Sequence, residues 1–238
     1  MQSSKEIFWK DRIRPFLRIK TGRYVSIKKR LGELFESDRK EMYAKPKMEI
    51  AKMATEILAK IPLIVLVGVT GSVASGWPKK SDDIDFLIIC KKDSLWICRI
   101  WATTLLKIYG FRMRDSTTEI SDSLCLNLWL DETSLTIDKD RQNLLTGLDL
   151  VWLKVILNRQ NCWQRFLAAN KWAEKYVILD KVRKVRIDKK KVSGLMTNVN
   201  RLAFGIQYWY MKRKMKGEIV SINKAYFHPK GKICFDRI

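Results

Sequence analysis

The hydrophobic pattern divides the chain before any chemistry is considered. Ile50, Met53, Ala54, Ile57 and Leu58 recur at helical spacing and give segment 31–60 one apolar face. Ile61-Pro62 ends that helix. Residues 63–69 are a β-branched, aliphatic run of the kind that forms a buried strand. A turn with room for one short helical turn is expected from Gly71 to Pro78, and a second strand over 83–89. Asp93-Ser94 can cap a helix over 95–109, with Gly110 as its stop. Residues 123–130 alternate. Leu124, Leu126, Leu128 and Leu130 fall on one face, and Ser123, Cys125, Asn127 and Trp129 on a polar outer face. From Asn143 the pattern is helical, with helices expected over 148–157, 162–176 and 192–215. The prediction is an α+β fold in three parts: a basic arm over 1–30, a core over 31–140, and a basic helical domain over 141–238.

Composition narrows the chemistry. The 238 residues are 47% hydrophobic, enough for a real core, so general disorder is excluded. Lys and Arg number 47 against 25 Asp and Glu, a formal net charge of +22, which favours a polyanionic partner. Much of it lies in the arm, which has ten basic and two acidic residues, and in 171–216, which has fourteen and three. Phe8, Trp9, Phe16 and Tyr24 interrupt the basic residues of the arm, either docking on the domain or stacking on a strand. The lone histidine, His228, excludes zinc sites built on several histidines. The five cysteines, at 90, 98, 125, 162 and 234, are odd in number and widely spaced. They point to a reducing, cytoplasmic setting without a disulfide frame. Neither a secretory signal nor a transmembrane segment is expected, since the longest apolar runs are broken by Gly, Thr and Ser or carry Arg99 and Lys107.

The informative stretch is Leu66-Val67-Gly68-Val69-Thr70-Gly71-Ser72, then ten residues, then Asp83-Ile84-Asp85-Phe86. A strand ending in Gly-Ser lets a phosphate approach the backbone, and the serine hydroxyl can hydrogen-bond it. Asp83 and Asp85 point to one face of the next strand, roughly 6.6 Å apart along it. Two carboxylates so fixed can share one or two Mg²⁺ ions with a triphosphate and support an in-line displacement. Lys79 and Lys80 sit beside this phosphate position. A Walker A reading of Gly71 to Gly76 fails, because Trp77-Pro78 stands where Lys-Ser/Thr is needed.

Gly71-Ser72 followed by Asp83-Ile84-Asp85-Phe86 resembles the signature of the DNA polymerase β-like nucleotidyltransferase superfamily. The resemblance covers residues 60–131. Arg141 to Leu145 and Gln164 to Trp172 also resemble uncharacterised microbial nucleotidyltransferase-like proteins. The resemblance implies a small mixed sheet with flanking helices. It also implies dependence on Mg²⁺ or Mn²⁺, and transfer of a nucleotide from an NTP to a hydroxyl. Asp83 and Asp85 would be metal ligands, and Gly71 and Ser72 would hold the triphosphate. The superfamily's third acid lies on a neighbouring strand, here 125–131, whose central polar position is Asn127. Asp131 lies four residues on, roughly 13 Å away by strand rise. Asp122 and Glu132 are the other acids near that strand.

The expected function is metal-dependent transfer of an NMP group from an NTP to an acceptor hydroxyl, with release of pyrophosphate. RNA is expected as acceptor before DNA, on charge alone. The alternative is a nucleic-acid-binding protein on the same scaffold, catalytically weakened because Asn127 replaces an acid. Attachment of the arm to an anionic membrane surface is a third reading.

Overall fold

The computed structural model describes residues 40–114, 121–179, 194–215 and 217–227. The basic arm, His228 and Cys234 lie outside the described residues, as do the start of the helix expected from 192 and much of the basic run in 171–216.

Six strands form one mixed sheet. They are β1 (Ile64–Thr70), β2 (Ile84–Cys90), β3 (Leu124–Asp131), β4 (Lys154–Asn158), β5 (Ile219–Val220) and β6 (Lys224–Tyr226), in the order β4-β1-β2-β3-β6-β5. Only β2 and β3 pair in parallel; every other neighbour is antiparallel. Strands β1 and β2 are buried on both faces, which their continuous apolar runs require. On one face pack α1 (Lys40–Leu58), α3 (Leu95–Ile108) and α6 (Gly194–Lys212), against Val67, Val69, Phe86, Ile88 and Trp129. On the other lie α4 (Leu144–Trp152) and α5 (Cys162–Ala169), against Leu66, Leu87, Ile89 and Leu130. The short α2 (Gly71–Ser75) follows β1 directly.

The α+β class and the first three strands match the pattern expected from the chain. Several features do not, among them the helix expected over 162–176, which ends at Ala169 and gives way to a 3-10 turn over Lys171–Lys175. Segment 141–238 is not a separate helical domain, because β4 joins one edge of the sheet while β6 and β5 extend the other. The helix expected over 148–157 ends at Trp152 and the chain turns at Leu153 into β4, whose β-branched Val155 and Ile156 suit a strand. The alternation along β3 also fails. Asp85 pairs with Cys125 but Leu87 pairs with Leu128, so β3 carries one extra residue there. Beyond that bulge the side chains change face, and Trp129 is fully buried in the core.

In α1 the buried stripe is Lys47, Ala51, Ala54, Thr55 and Leu58, whereas Met53 is 51% exposed. The helix is rotated from the face that its large apolar residues suggest, because small alanines let it pack close to the sheet.

Candidate functional site

Thr70 ends β1, Asp85 lies near the start of β2 and Cys125 near the start of β3, and the three stand in one row across the sheet. Cross-strand partners share a face. This row therefore faces the α4 and α5 side, like Leu87 and Ile89 further along β2. Asp83 is one alternate position before Asp85, at the strand's entry. Asp83 is 5% and Asp85 8% exposed. A carboxylate oxygen of each and the Cys125 sulfur all lie within 4.8 Å of one another.

Gly71 follows Thr70 immediately, so the Gly-Ser turn sits at the same end of the sheet as the carboxylates. Gly71 has φ 68°, in the left-handed region where a side chain is strained, and this permits the abrupt change from strand to helix. Ser72 is nearly buried, and its carbonyl accepts hydrogen bonds from Ser75 Oγ at 2.9 Å and Trp77 N at 3.0 Å. The turn is a fixed element.

The entry to β2 is held from behind by a lysine. Lys47 of α1 is 2% exposed, and its Nζ donates to Asp82 O at 2.6 Å, Lys80 O at 3.1 Å and Asp122 Oδ1 at 2.6 Å. Ile84 N donates to Ser123 O, and Asp122 N to Asp82 O, which ties the approach of β3 to that of β2. These bonds set where Asp83 leaves the backbone. The Lys79 and Lys80 backbones belong to this same turn, while their side chains are exposed.

A cation already lies on the carboxylates. Residues 112–114 run beside the start of β3, with Leu124 N donating to Arg112 O and Arg114 N to Leu124 O. From there Arg114 forms an ion pair with Asp83. Burial works against its charge, but Asp83, Cys125 and Asp85 together hold the guanidinium above its ordinary pKa. Asn127 Nδ2 donates to Asp85 Oδ1 at 2.8 Å, so Asn127 positions this carboxylate from the strand expected to bring the third acid.

Asp131 is not part of the site. It pairs with Cys90 at the other end of β2, about 17 Å along the strand from Asp85. There it accepts from Thr133 N and Asp93 N and closes a turn. Glu132 pairs with Arg165, and Asp122 with Lys47. Among the His, Cys, Asp and Glu side chains of the described residues, the one that joins Asp83 and Asp85 within 4.8 Å is therefore Cys125.

A further carboxyl faces this end of the sheet from α4. Asp149 has a buried Oδ1 with no hydrogen-bond partner. Burial first, and then the charge on Asp85, push its pKa well above the ordinary carboxylate range. Gly68 explains how α4 comes so close, since a Cβ there would lie 2.6 Å from Leu153 Cδ2, just past the helix. The sequence held a signal for Asp149, the only charged residue in the apolar helix LLTGLDLVW. Cys125 and Arg114 had no comparable local signal, because only the cross-strand register brings them to the carboxylates.

Comparison with protein-family models, curated proteins and solved structures found no match for this chain.

Proposed function

We propose that this protein is a divalent-cation-dependent nucleotidyltransferase that moves an NMP group from an NTP to an acceptor hydroxyl. The observation that carries this reading is the convergence of the buried Asp83 and Asp85 carboxylates beside the Gly71-Ser72 turn. A donor set of two carboxylates fits a hard divalent cation, and the Arg114 guanidinium drawn onto it marks a place that favours positive charge. A divalent ion bound there would neutralise the α-phosphate and favour attack by the acceptor oxygen.

The chain's own residues supply the rest. Asp83 and Asp85 would hold the ion, with Asp85 oriented by Asn127. Ser72 and the Gly71 backbone receive the phosphates as they pass the end of β1. The acceptor oxygen forms a bond to the α-phosphorus, the bond to the bridging oxygen breaks, and pyrophosphate leaves. Asp149 Oδ1 takes the proton of the attacking hydroxyl. Its raised pKa makes the ionised carboxylate a stronger base than an ordinary aspartate. Lys79 and Lys80 are exposed beside the turn and offer charge to the departing pyrophosphate. RNA is the proposed acceptor, on the strength of the +22 charge.

The test is incubation of the full chain with each α-labelled NTP, RNA, and Mg²⁺ or Mn²⁺. Label is expected in the RNA, and Asp149→Asn should lower the rate by about 100-fold or more while NTP binding persists.

Arg114 favours a second reading. With its guanidinium kept on Asp83, the scaffold would bind a polynucleotide without chemistry. That reading predicts RNA binding indifferent to divalent ions and to Asp83→Asn, with no label transferred.

A further inference from the structure

We propose that Cys125 is the third protein ligand of the cation held by Asp83 and Asp85, and that it makes the site select a thiolate-tolerant first-row ion over Mg²⁺. This rests on the reading of Asp83 and Asp85 as a cation site. It goes beyond that reading in naming the ion class.

The geometry is specific. Cys125 is the cross-strand partner of Asp85, so its Cβ and that of Asp85 leave adjacent strands on one face. Its sulfur lies within 4.8 Å of carboxylate oxygens of both aspartates, a span that one ion can bridge. The bulge in β3 begins just after Cys125, so register fixes this position while the residues beyond it shift. Two further groups mark the spot as one that awaits a cation. Arg114 is drawn onto the cluster from the strand edge, and Asp149 Oδ1 is buried above the same face with no hydrogen-bond partner.

The donor set decides the ion. Mg²⁺ takes oxygen donors only, whereas Zn²⁺ and Co²⁺ bind thiolate as well as carboxylate. Binding breaks the S–H bond: the sulfur keeps the electron pair and donates it to the ion, and the proton passes to solvent. No oxidant or reductant is involved. Arg114 leaves Asp83 as the ion enters, since both occupy the same carboxylate.

Cobalt titration of the full chain reads this directly, because a thiolate ligand gives a near-ultraviolet charge-transfer band that carboxylates do not. Wild type should develop that band to one equivalent, and Zn²⁺ should erase it far more readily than Mg²⁺. Cys125→Ser and Asp83→Asn should lose the band with melting temperatures that show them folded. Cys125→Asp should lose it too, and bind Mg²⁺ about tenfold more tightly than wild type. A wild type without the band, or a band that survives in Cys125→Ser or Cys125→Asp, overturns the proposal. The two readings fail separately. Mg²⁺-supported label transfer without a cobalt band leaves the enzyme and removes the thiolate ligand. A cobalt band without transfer under any ion leaves the ligand and removes the enzyme.

Discussion

Asp149 and Arg114 are the two residues whose substitution has the least obvious sign. Asp149 keeps a raised pKa in the folded chain, so the folded state holds a proton that the unfolded state has already released above the ordinary carboxylate range. That contribution is present at acid pH and is lost as pH rises through the folded pKa. Asp149→Asn should therefore melt higher than wild type at pH 7, with a flatter dependence of melting temperature on pH above the carboxylate range. A thermal scan across pH checks both. Arg114→Gln removes a positive charge from the Asp83 carboxylate, so divalent ions should bind about tenfold more tightly, measured by manganese titration. Loss of the ion pair should cost some stability, since Asp83 is left buried and charged. The aspartates of this site were legible in the sequence because Gly-Ser and Asp-x-Asp are local patterns, complete within fifteen residues. Alternation along the sequence puts Cys125 and Asn127 on one face, so the pattern does not choose between them. Only the register between β2 and β3 says which stands opposite Asp85.

Among the elements, α1 shows how burial departs from hydrophobicity. Its large apolar residues suggest a face through Met53, yet the packed stripe is two alanines, Thr55, Leu58 and the buried Lys47. A lysine on that stripe is tolerated because three oxygens accept hydrogen bonds from its ammonium group. Lys47→Met should cost about 2–4 kcal/mol in urea unfolding. It should also weaken cation binding, because the turn over 79–82 that delivers Asp83 loses its anchor. In α6 the reverse holds. Leu195, Leu202, Ile206 and Trp209 are each more than 60% exposed, so Leu202→Lys should change stability by no more than about 0.5 kcal/mol. The strand at 154–158 was hidden in the sequence because it follows α4 after a single turning residue, with apolar residues running through the join. Periodicity cannot separate two short apolar elements that abut.

At the scale of the molecule, the sheet is covered by helices on both faces and its two edges are closed by segments from the C-terminal half. Sequence composition could assign that half its charge but not its place, because strands of two to five residues leave almost no pattern. Among the described residues no helix is long and apolar enough to cross a membrane. Along the sequence the basic stretches 1–30 and 171–216 flank the segment that carries Asp83 and Asp85, and under the proposed function they would offer charge to a phosphate-bearing acceptor. Affinity for single-stranded RNA should fall about 100-fold or more between ~50 and ~200 mM salt if several phosphates are contacted. Pyrophosphate release tests the central claim most directly, measured with RNA, NTPs and Mg²⁺ or Mn²⁺ for wild type, Asp83→Asn and Asp85→Asn. Wild type should release pyrophosphate, and each variant, still folded, should be slower by about 1,000-fold. Equal release by all three proteins would contradict the assignment of these carboxylates.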